Sequence, residues 1–144
     1  MKGPIQSLEV SYFVHATEDP DTIASAVSTL LSVDAQPEEE KMEGHFGNPI
    51  VRVRHSIIGE DAATALGRIA TRLPESTKDK LERGIREFLD EHSALYLRFD
   101  KQRLVVGRLE EGTGDPIRVK VKPRGFLLHN GAGEFYSKVL FGDS

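Results

Sequence analysis

Cysteine and tryptophan are absent from this 144-residue sequence, and no apolar run approaches the about 20 residues that cross a bilayer. Without cysteine the chain has no disulfide framework, no thiolate metal site and no cysteine nucleophile. The chain begins with alternating residues rather than an apolar signal segment. We therefore expect a cytoplasmic protein without a membrane partner.

The histidines also lack a pattern that would indicate a metal or a catalytic base. His15, His45, His55, His92 and His129 show neither a His-x-His nor a His-Glu-x-x-His spacing. Acidic pairs are adjacent in the sequence, so their side chains point apart. We expect no metal, no cofactor and no catalytic site, with hydrolysis involving His45 kept as the weakest alternative.

What the chain does contain is enough Val, Ile and Leu for one folded domain. Alternating apolar residues predict strands over residues 5–16, 37–43, 50–58, 95–99, 104–109 and 116–122. Helical spacing predicts helices over residues 20–32, 61–73 and from Thr77 to Leu89. This order predicts a single α+β domain with about three helices on one face of a mixed or antiparallel sheet, ending in a β-meander. We expect the domain to cover residues 1–124, and residues 125–144 to form an extension that packs on it.

Charge is unevenly distributed along the chain. Residues 16–49 contain eight acidic residues and one lysine, whereas residues 94–124 contain eight basic and four acidic residues. The acidic part includes residues 37–43, an edge strand that leaves pairing between two copies of the chain open.

A stripe of cations follows the last predicted strand. Arg118, Lys120, Lys122 and Arg124 occupy every second position, so a strand would place all four on one face. Either acidic neighbours or an anionic partner must offset their mutual repulsion. A solvated face neutralised by nearby glutamates and an RNA-binding face both remain open. Tyr96 could stack a base. The cations that could join an RNA-binding face are Arg52, Arg54, Arg98, Lys101, Arg103 and Arg108.

Four strings occur in a recognisable order: residues 15–19 (HATED), 44–50 (GHFGNPI), 95–102 (LYLRFDKQ) and 115–121 (DPIRVKV). Together they resemble the archaeal family described as exosome-associated RNA-binding proteins. The resemblance extends to about Pro123, and it departs from the family at Phe46, where tyrosine is common. It implies a fold similar to that of the ribosomal large-subunit protein that binds five-S RNA.

The resemblance also implies RNA as the partner, with exosome subunits as a further possible partner. We therefore expect a non-catalytic protein that contacts RNA backbone, with a possible homodimer. The alternative is an adaptor in which the acidic part docks onto a basic protein and RNA is bound elsewhere.

Overall fold

The computed structural model describes residues 5–33, 37–44, 47–124, 135–136 and 140. Its strands are β1 (Ile5–His15), β2 (Pro37–Glu43), β3 (Pro49–Ile58), β4 (Leu95–Asp100) and β5 (Pro116–Pro123). Its helices are α1 (Pro20–Leu31), α2 (Gly59–Arg72), α3 (Glu75–Gly84) and α4 (Lys101–Val105), with a 3₁₀ turn at Ile85–Phe88.

The five strands form one sheet in the order β2-β3-β1-β5-β4, and every neighbouring pair is antiparallel. The most central strand, β1, alternates as predicted: Leu8, Val10, Tyr12 and Val14 are buried. Helix α2 packs against β1, and α1 packs against α2. This arrangement confirms the predicted single α+β domain and leaves the other face of the sheet without a described helix.

The first helix begins where the sequence indicates. The carboxylate of Asp19 accepts a hydrogen bond from the Asp21 amide, and Pro20 occupies the first helical position, where a missing N–H costs nothing. The helix ends before Ser32, which adopts a left-handed conformation with φ of 58°. Ile23, Val27, Leu30 and Leu31 form its buried side.

The strand predicted over residues 104–109 was wrong, and with it the β-meander. Asp100 ends β4 and its side chain accepts a hydrogen bond from the Arg103 amide, which caps a short helix instead. Leu104 and Leu109 reach the core from this helix and the loop after it. The chain then returns as β5, directly beside β4.

The third predicted helix is shorter than expected. Helix α3 ends at Gly84, and the following residues form the 3₁₀ turn, so Phe88 and Leu89 are not on a continuous helical face. Both side chains remain half-buried against the core. This break places Phe88 beside the edge strand β4, where a cleft lies.

Part of the C-terminal extension contributes to the core. Tyr136 and Leu140 are buried, and the Tyr136 hydroxyl donates to the carbonyl oxygen of Ser93 at 3.1 Å. Burial raises the pKa of Tyr136, and the nearby charge of Asp90 adds to this effect. Packing of the remainder of residues 125–144 stays a prediction, because most of them lie outside the described residues.

Candidate nucleic-acid interface

The face of the sheet opposite the helices carries a row of side chains across all five strands. In this row Glu38 pairs with Arg54, Arg54 with Ser11, Ser11 with Arg118, and Arg118 with Arg98. The row exists because every second residue of a strand points to the same face. Three arginines from β3, β5 and β4 therefore lie on one surface.

Three further rows extend this surface. Ser56, Glu9, Lys120 and Tyr96 form the first, Ile58, Ser7 and Lys122 form the second, and Glu40, Arg52 and Phe13 form the third. We call the surface the basic face and define it by its six cations: Arg52, Arg54, Arg98, Arg118, Lys120 and Lys122. All six side chains are exposed or partly exposed.

The cations of the basic face are only partly neutralised. Arg52 lies 3.8 Å from Glu40 and Arg54 lies 3.7 Å from Glu38, which are long contacts between exposed groups. Among the described residues, no carboxylate lies within 4.0 Å of the charged groups of Arg98, Arg118 or Lys122. Arg98 and Arg118 also pair directly with each other across the strands. Like charges placed opposite each other are unfavourable, so an anion bound here would relieve repulsion.

Tyr96 lies at the edge of the basic face. Its side chain is 38% exposed, and the Lys120 ammonium lies 5.4 Å from the ring centre, within cation–π range. A hydrogen-bonding interaction with Tyr96 raises the pKa of Lys120, and the charges of Asp90 and Glu9 act in the same direction. Lys120 therefore stays charged over the whole physiological range.

Asp90 fixes the position of the Tyr96 ring. The Tyr96 hydroxyl donates to Asp90 Oδ2 at 2.9 Å, while the amides of His92 and Ala94 donate to Asp90 Oδ1. Burial alone would raise the pKa of Asp90, but these hydrogen bonds outweigh burial and lower it. The ring is thus held by an ionised carboxylate.

Three of the predicted RNA-contacting residues, Arg103, Arg124 and Lys101, are not among the six cations of the basic face. Arg103 is on α4, which packs against α1 on the helix side, and its side chain lies 3.8 Å from Glu110. Arg124 lies just after the end of β5 and is partly buried. Lys101 is only 2% exposed. These positions separate Arg103 and Lys101 from the six cations that share the sheet surface.

Lys101 is buried inside the protein and does not lie on its surface. Its ammonium donates to the carbonyl oxygen of Phe13 at 2.8 Å, to Glu18 Oε1 at 2.8 Å and to Asp115 Oδ2 at 2.6 Å. Contact with an RNA phosphate would require these bonds to break. We therefore correct our prediction for Lys101 from a phosphate contact to an internal ion-pair partner.

The neighbours of Lys101 come from three of the recognisable strings. His15 is the last residue of β1, Glu18 follows that strand, Gln102 is on α4, and Asp115 precedes β5. His15 Nε2 lies 3.0 Å from Asp115 Oδ2, and the Gln102 amide donates to Glu18 Oε2 at 2.9 Å. Burial alone would raise the pKa of Glu18 and of Asp115, but the hydrogen bonds and the charge of Lys101 outweigh burial and lower both pKa values. Sequence reasoning missed this network, although residues 15–19, 100–102 and 115 all belong to the recognisable strings.

One group in the described part of the chain has the arrangement of a metal site: His15, Glu18 and Asp115. The Lys101 ammonium lies between the two carboxylates and contacts both. The positive charge that these oxygens need is thus supplied by the protein. The group carries no metal assignment.

The other described histidines have different surroundings. His55 is 1% exposed, and its Nε2 lies 2.9 Å from the Tyr12 hydroxyl within the core. Burial, with the charge of Glu39 as a smaller cause, raises the pKa of Tyr12. His92 is an exposed neighbour of Glu91. His45, Phe46 and His129, including the centre of the predicted glycine turn, lie outside the described residues.

Phe13 is a residue of the basic face that sequence reasoning missed. It is half-buried, and it pairs with Arg52 across β1 and β3. The signal was available, since Phe13 alternates with the buried residues Tyr12 and Val14. It adds an aromatic side chain on the half of the face opposite Tyr96.

The fold and this surface define a class: a single-domain α+β protein with one sheet face covered by helices and the other open and basic. No described helix is long and apolar enough to span a membrane. The chain belongs to a family whose model is described as RNA binding, and the model matches residues 7–123.

The chain is also similar to two further proteins and to two solved structures. An RNA-binding protein of Pyrococcus abyssi is 31% identical, with 89% of each chain covered, and an uncharacterized protein of Methanocaldococcus jannaschii is 28% identical, with 78% of this chain and 80% of the relative covered. A DUF54 protein from Archaeglobus fulgidus has a TM-score of 0.78 at 26% identity, covering 94% of this chain and 99% of the other. A DUF54 protein from Methanothermobacter thermautotrophicus has a TM-score of 0.73 at 28% identity, covering 96% and 99%.

Proposed function

We propose that this chain is a non-catalytic RNA-binding protein that contacts the RNA backbone through the basic face. The observation that carries the proposal is the cluster of Arg98, Arg118 and Lys122, which share an open sheet surface without ion-pair partners among the described residues. The family description and the name of the Pyrococcus abyssi relative support RNA as the anion.

The geometry favours recognition of the backbone over recognition of sequence. The six cations lie on rigid strands rather than on loops, and contacts from cations to phosphates carry no direct sequence information. Neighbouring strands lie about 4.8 Å apart, so the row from Arg54 to Arg98 spans about 14 Å. Affinity should therefore depend strongly on salt and weakly on sequence.

Neutralising two cations of the stripe tests this assignment. In Lys120→Gln/Lys122→Gln, RNA affinity at low salt should fall, and the slope of log K against log salt should become shallower by about 0.7 for each phosphate that is no longer neutralised. Fluorescence anisotropy of a labelled single-stranded oligoribonucleotide measures both quantities. An unchanged affinity and slope would remove the stripe from the RNA surface.

The matched control is Arg103→Gln/Arg108→Gln, which changes net charge equally on residues outside the sheet. Arg103 is on α4 and Arg108 follows that helix. If only the basic face binds RNA, this variant should retain the wild-type slope. A similar loss in both variants would mean that net charge, and not the basic face, determines binding.

A second candidate function is the protein adaptor, which the acidic strand β2 favours. All seven residues of β2 are exposed, and four of them are glutamates. Such a strand at the sheet edge fits a basic protein segment. The family resemblance implies association with exosome subunits, and both candidate functions are compatible with that association. Co-purification that survives ribonuclease treatment would support the adaptor, and loss of co-purification would support bridging by RNA.

A further inference from the structure

A cleft of about 510 Å³ lies beside β4, which forms the outer edge of the sheet. Its wall is mostly apolar, and its volume is typical of a small-ligand site. The wall comes from the start of α3, the 3₁₀ turn, β4 and the loop before β5. Its lining includes Thr77, Phe88, Leu89, Tyr96 and Leu97.

The outer backbone edge of β4 is paired with other segments at its two ends. The stretch between these ends is unpaired and faces the cleft. Leu89 bridges Leu95 at one end, and Glu111 bridges Phe99 at the other. The Gly112 amide donates to the Arg98 carbonyl oxygen at 3.2 Å, so Arg98 directs its backbone groups away from β5. Because alternate residues of a strand direct these groups to opposite sides, the Arg98 amide and the Tyr96 carbonyl point into the cleft.

Thr77 supplies an independent sign of a ligand. It lines the cleft and is only 2% exposed, yet its Oγ1 has no hydrogen-bond partner. Buried hydroxyl groups nearly always have a partner, because an unsatisfied one is unfavourable. Because the Oγ1 atom is buried in the cleft wall, a polar ligand atom would satisfy the Thr77 hydroxyl after rotation of this side chain toward the cleft.

The charges around the cleft distinguish between the parts of a nucleotide. Three carboxylates line it, those of Glu87, Asp90 and Glu111. The two lining cations are Lys80, which is paired with Glu111 at 2.7 Å, and Arg98, which also belongs to the basic face. These carboxylates repel phosphate but accept hydrogen bonds from the N–H groups of a neutral base. Phe88 and Tyr96 offer aromatic surfaces, and base stacking on aromatic side chains tolerates any sequence.

Tyr96 connects the cleft to the basic face, since it lines the cleft and also contacts Lys120. We propose that the cleft binds one unstacked nucleobase of a single-stranded RNA whose phosphates lie on the basic face. This inference rests on the proposed function. It assigns the bases and the phosphates of one strand to adjacent, differently charged surfaces.

A fluorescent reporter in the cleft tests the proposal directly. The chain has no tryptophan, so Phe88→Trp creates a single emitting indole in the cleft wall. Oligo(A) RNA should quench this emission as a base stacks on the ring, whereas inorganic polyphosphate of equal charge should not. Val106→Trp is the matched control, because Val106 is 70% exposed and is not among the cleft residues. Its emission should be unaffected by either polymer.

A second variant keeps the test valid if Phe88→Trp disturbs folding. Thr77→Val removes the hydroxyl at nearly constant shape, and stability should not fall because that hydroxyl has no partner. Its affinity for oligo(A) should fall about threefold to tenfold while its affinity for polyphosphate stays constant.

The outcomes separate this inference from the proposed function. If wild-type protein binds RNA but neither variant responds as expected, the cleft proposal is overturned and RNA binding stands. An extended peptide pairing with the edge of β4 would then be the occupant to examine. If wild-type protein does not bind RNA at low salt, both proposals fail.

Discussion

Among single residues, Lys101 is a buried cation whose ammonium donates to oxygen atoms of Phe13, Glu18 and Asp115. It stands among Arg98, Arg103 and Asp100, which suggested a surface position. However, the alternation that buries Leu95, Leu97 and Phe99 reaches Lys101 when it is extended by one more step. The burial was therefore predictable from the pattern, but its three oxygen partners, which come from distant parts of the chain, were not.

Replacing Lys101 by methionine should destabilise the protein strongly. Glu18, whose side chain is only 16% exposed, would lose its main cationic partner. Breaking a fully buried ion pair costs about 3–5 kcal/mol, and about 2 kcal/mol is expected here because Asp115 is 41% exposed and solvent screens it. Urea denaturation monitored by circular dichroism measures this loss.

The control for Lys101→Met is Arg103→Met on the same helix. The Arg103–Glu110 pair is exposed, so its loss should change the free energy of unfolding by less than about 0.5 kcal/mol. Equal effects in the two variants would contradict the internal role of Lys101.

At the scale of elements, most helices and strands followed from the periodicity of apolar residues. Strand β2 has the predicted bounds, and α1 ends one residue earlier than predicted. The failure over residues 104–109 has a local cause: Leu104, Val105 and Val106 suit either a strand or a short helix. Two features favour the helix. The Asp100 side chain caps it, and β5 already has a neighbouring strand on each side, β1 and β4, so a further strand could not pair with β5.

The acidic strand β2 should weaken RNA binding by the neighbouring β3. Glu38 and Glu40 lie close to Arg54 and Arg52, so they compete with phosphates for these arginines. The variant Glu38→Gln/Glu40→Gln should bind RNA about threefold to tenfold more tightly at low salt. Anisotropy titration measures the change. The control, Glu39→Gln/Glu43→Gln, removes the same charge without removing a described ion pair, and an equal gain would indicate a general charge effect.

The loop before β5 should tolerate substitution at one glycine but not at another. A Cβ on Gly112 would lie 2.5 Å from the backbone of Asp100, whereas a Cβ on Gly114 meets no atom within 4 Å. Gly112→Ala should therefore destabilise the fold by about 2 kcal/mol or more, because the rigid backbone of β4 cannot move away cheaply. Gly114→Ala should have little effect in the same thermal melts. A stable Gly112→Ala variant would contradict the close packing of this loop on β4.

At the scale of the whole molecule, the order of the strands in the sheet determines which charged residues share a surface. The sequence predicted the stripe Arg118, Lys120 and Lys122 on one face of one strand. It could not show that β5 lies between β1 and β4, which brings Arg98, Arg52 and Arg54 to the same surface. Nor could it show the cleft at the edge of β4, because that cleft depends on the break after α3 and on contacts between distant segments. The likeness to the ribosomal five-S-RNA-binding fold stays a prediction.

RNA binding by the basic face is tested by a titration of purified protein with single-stranded and duplex RNA across a salt series. Inorganic polyphosphate serves as a polyanion control. We expect micromolar or tighter RNA binding at low salt, a linear decrease of log K with log salt, and weaker binding to polyphosphate. Absence of RNA binding at low salt, where attraction is strongest, would contradict the assignment of the basic face as an RNA-binding surface.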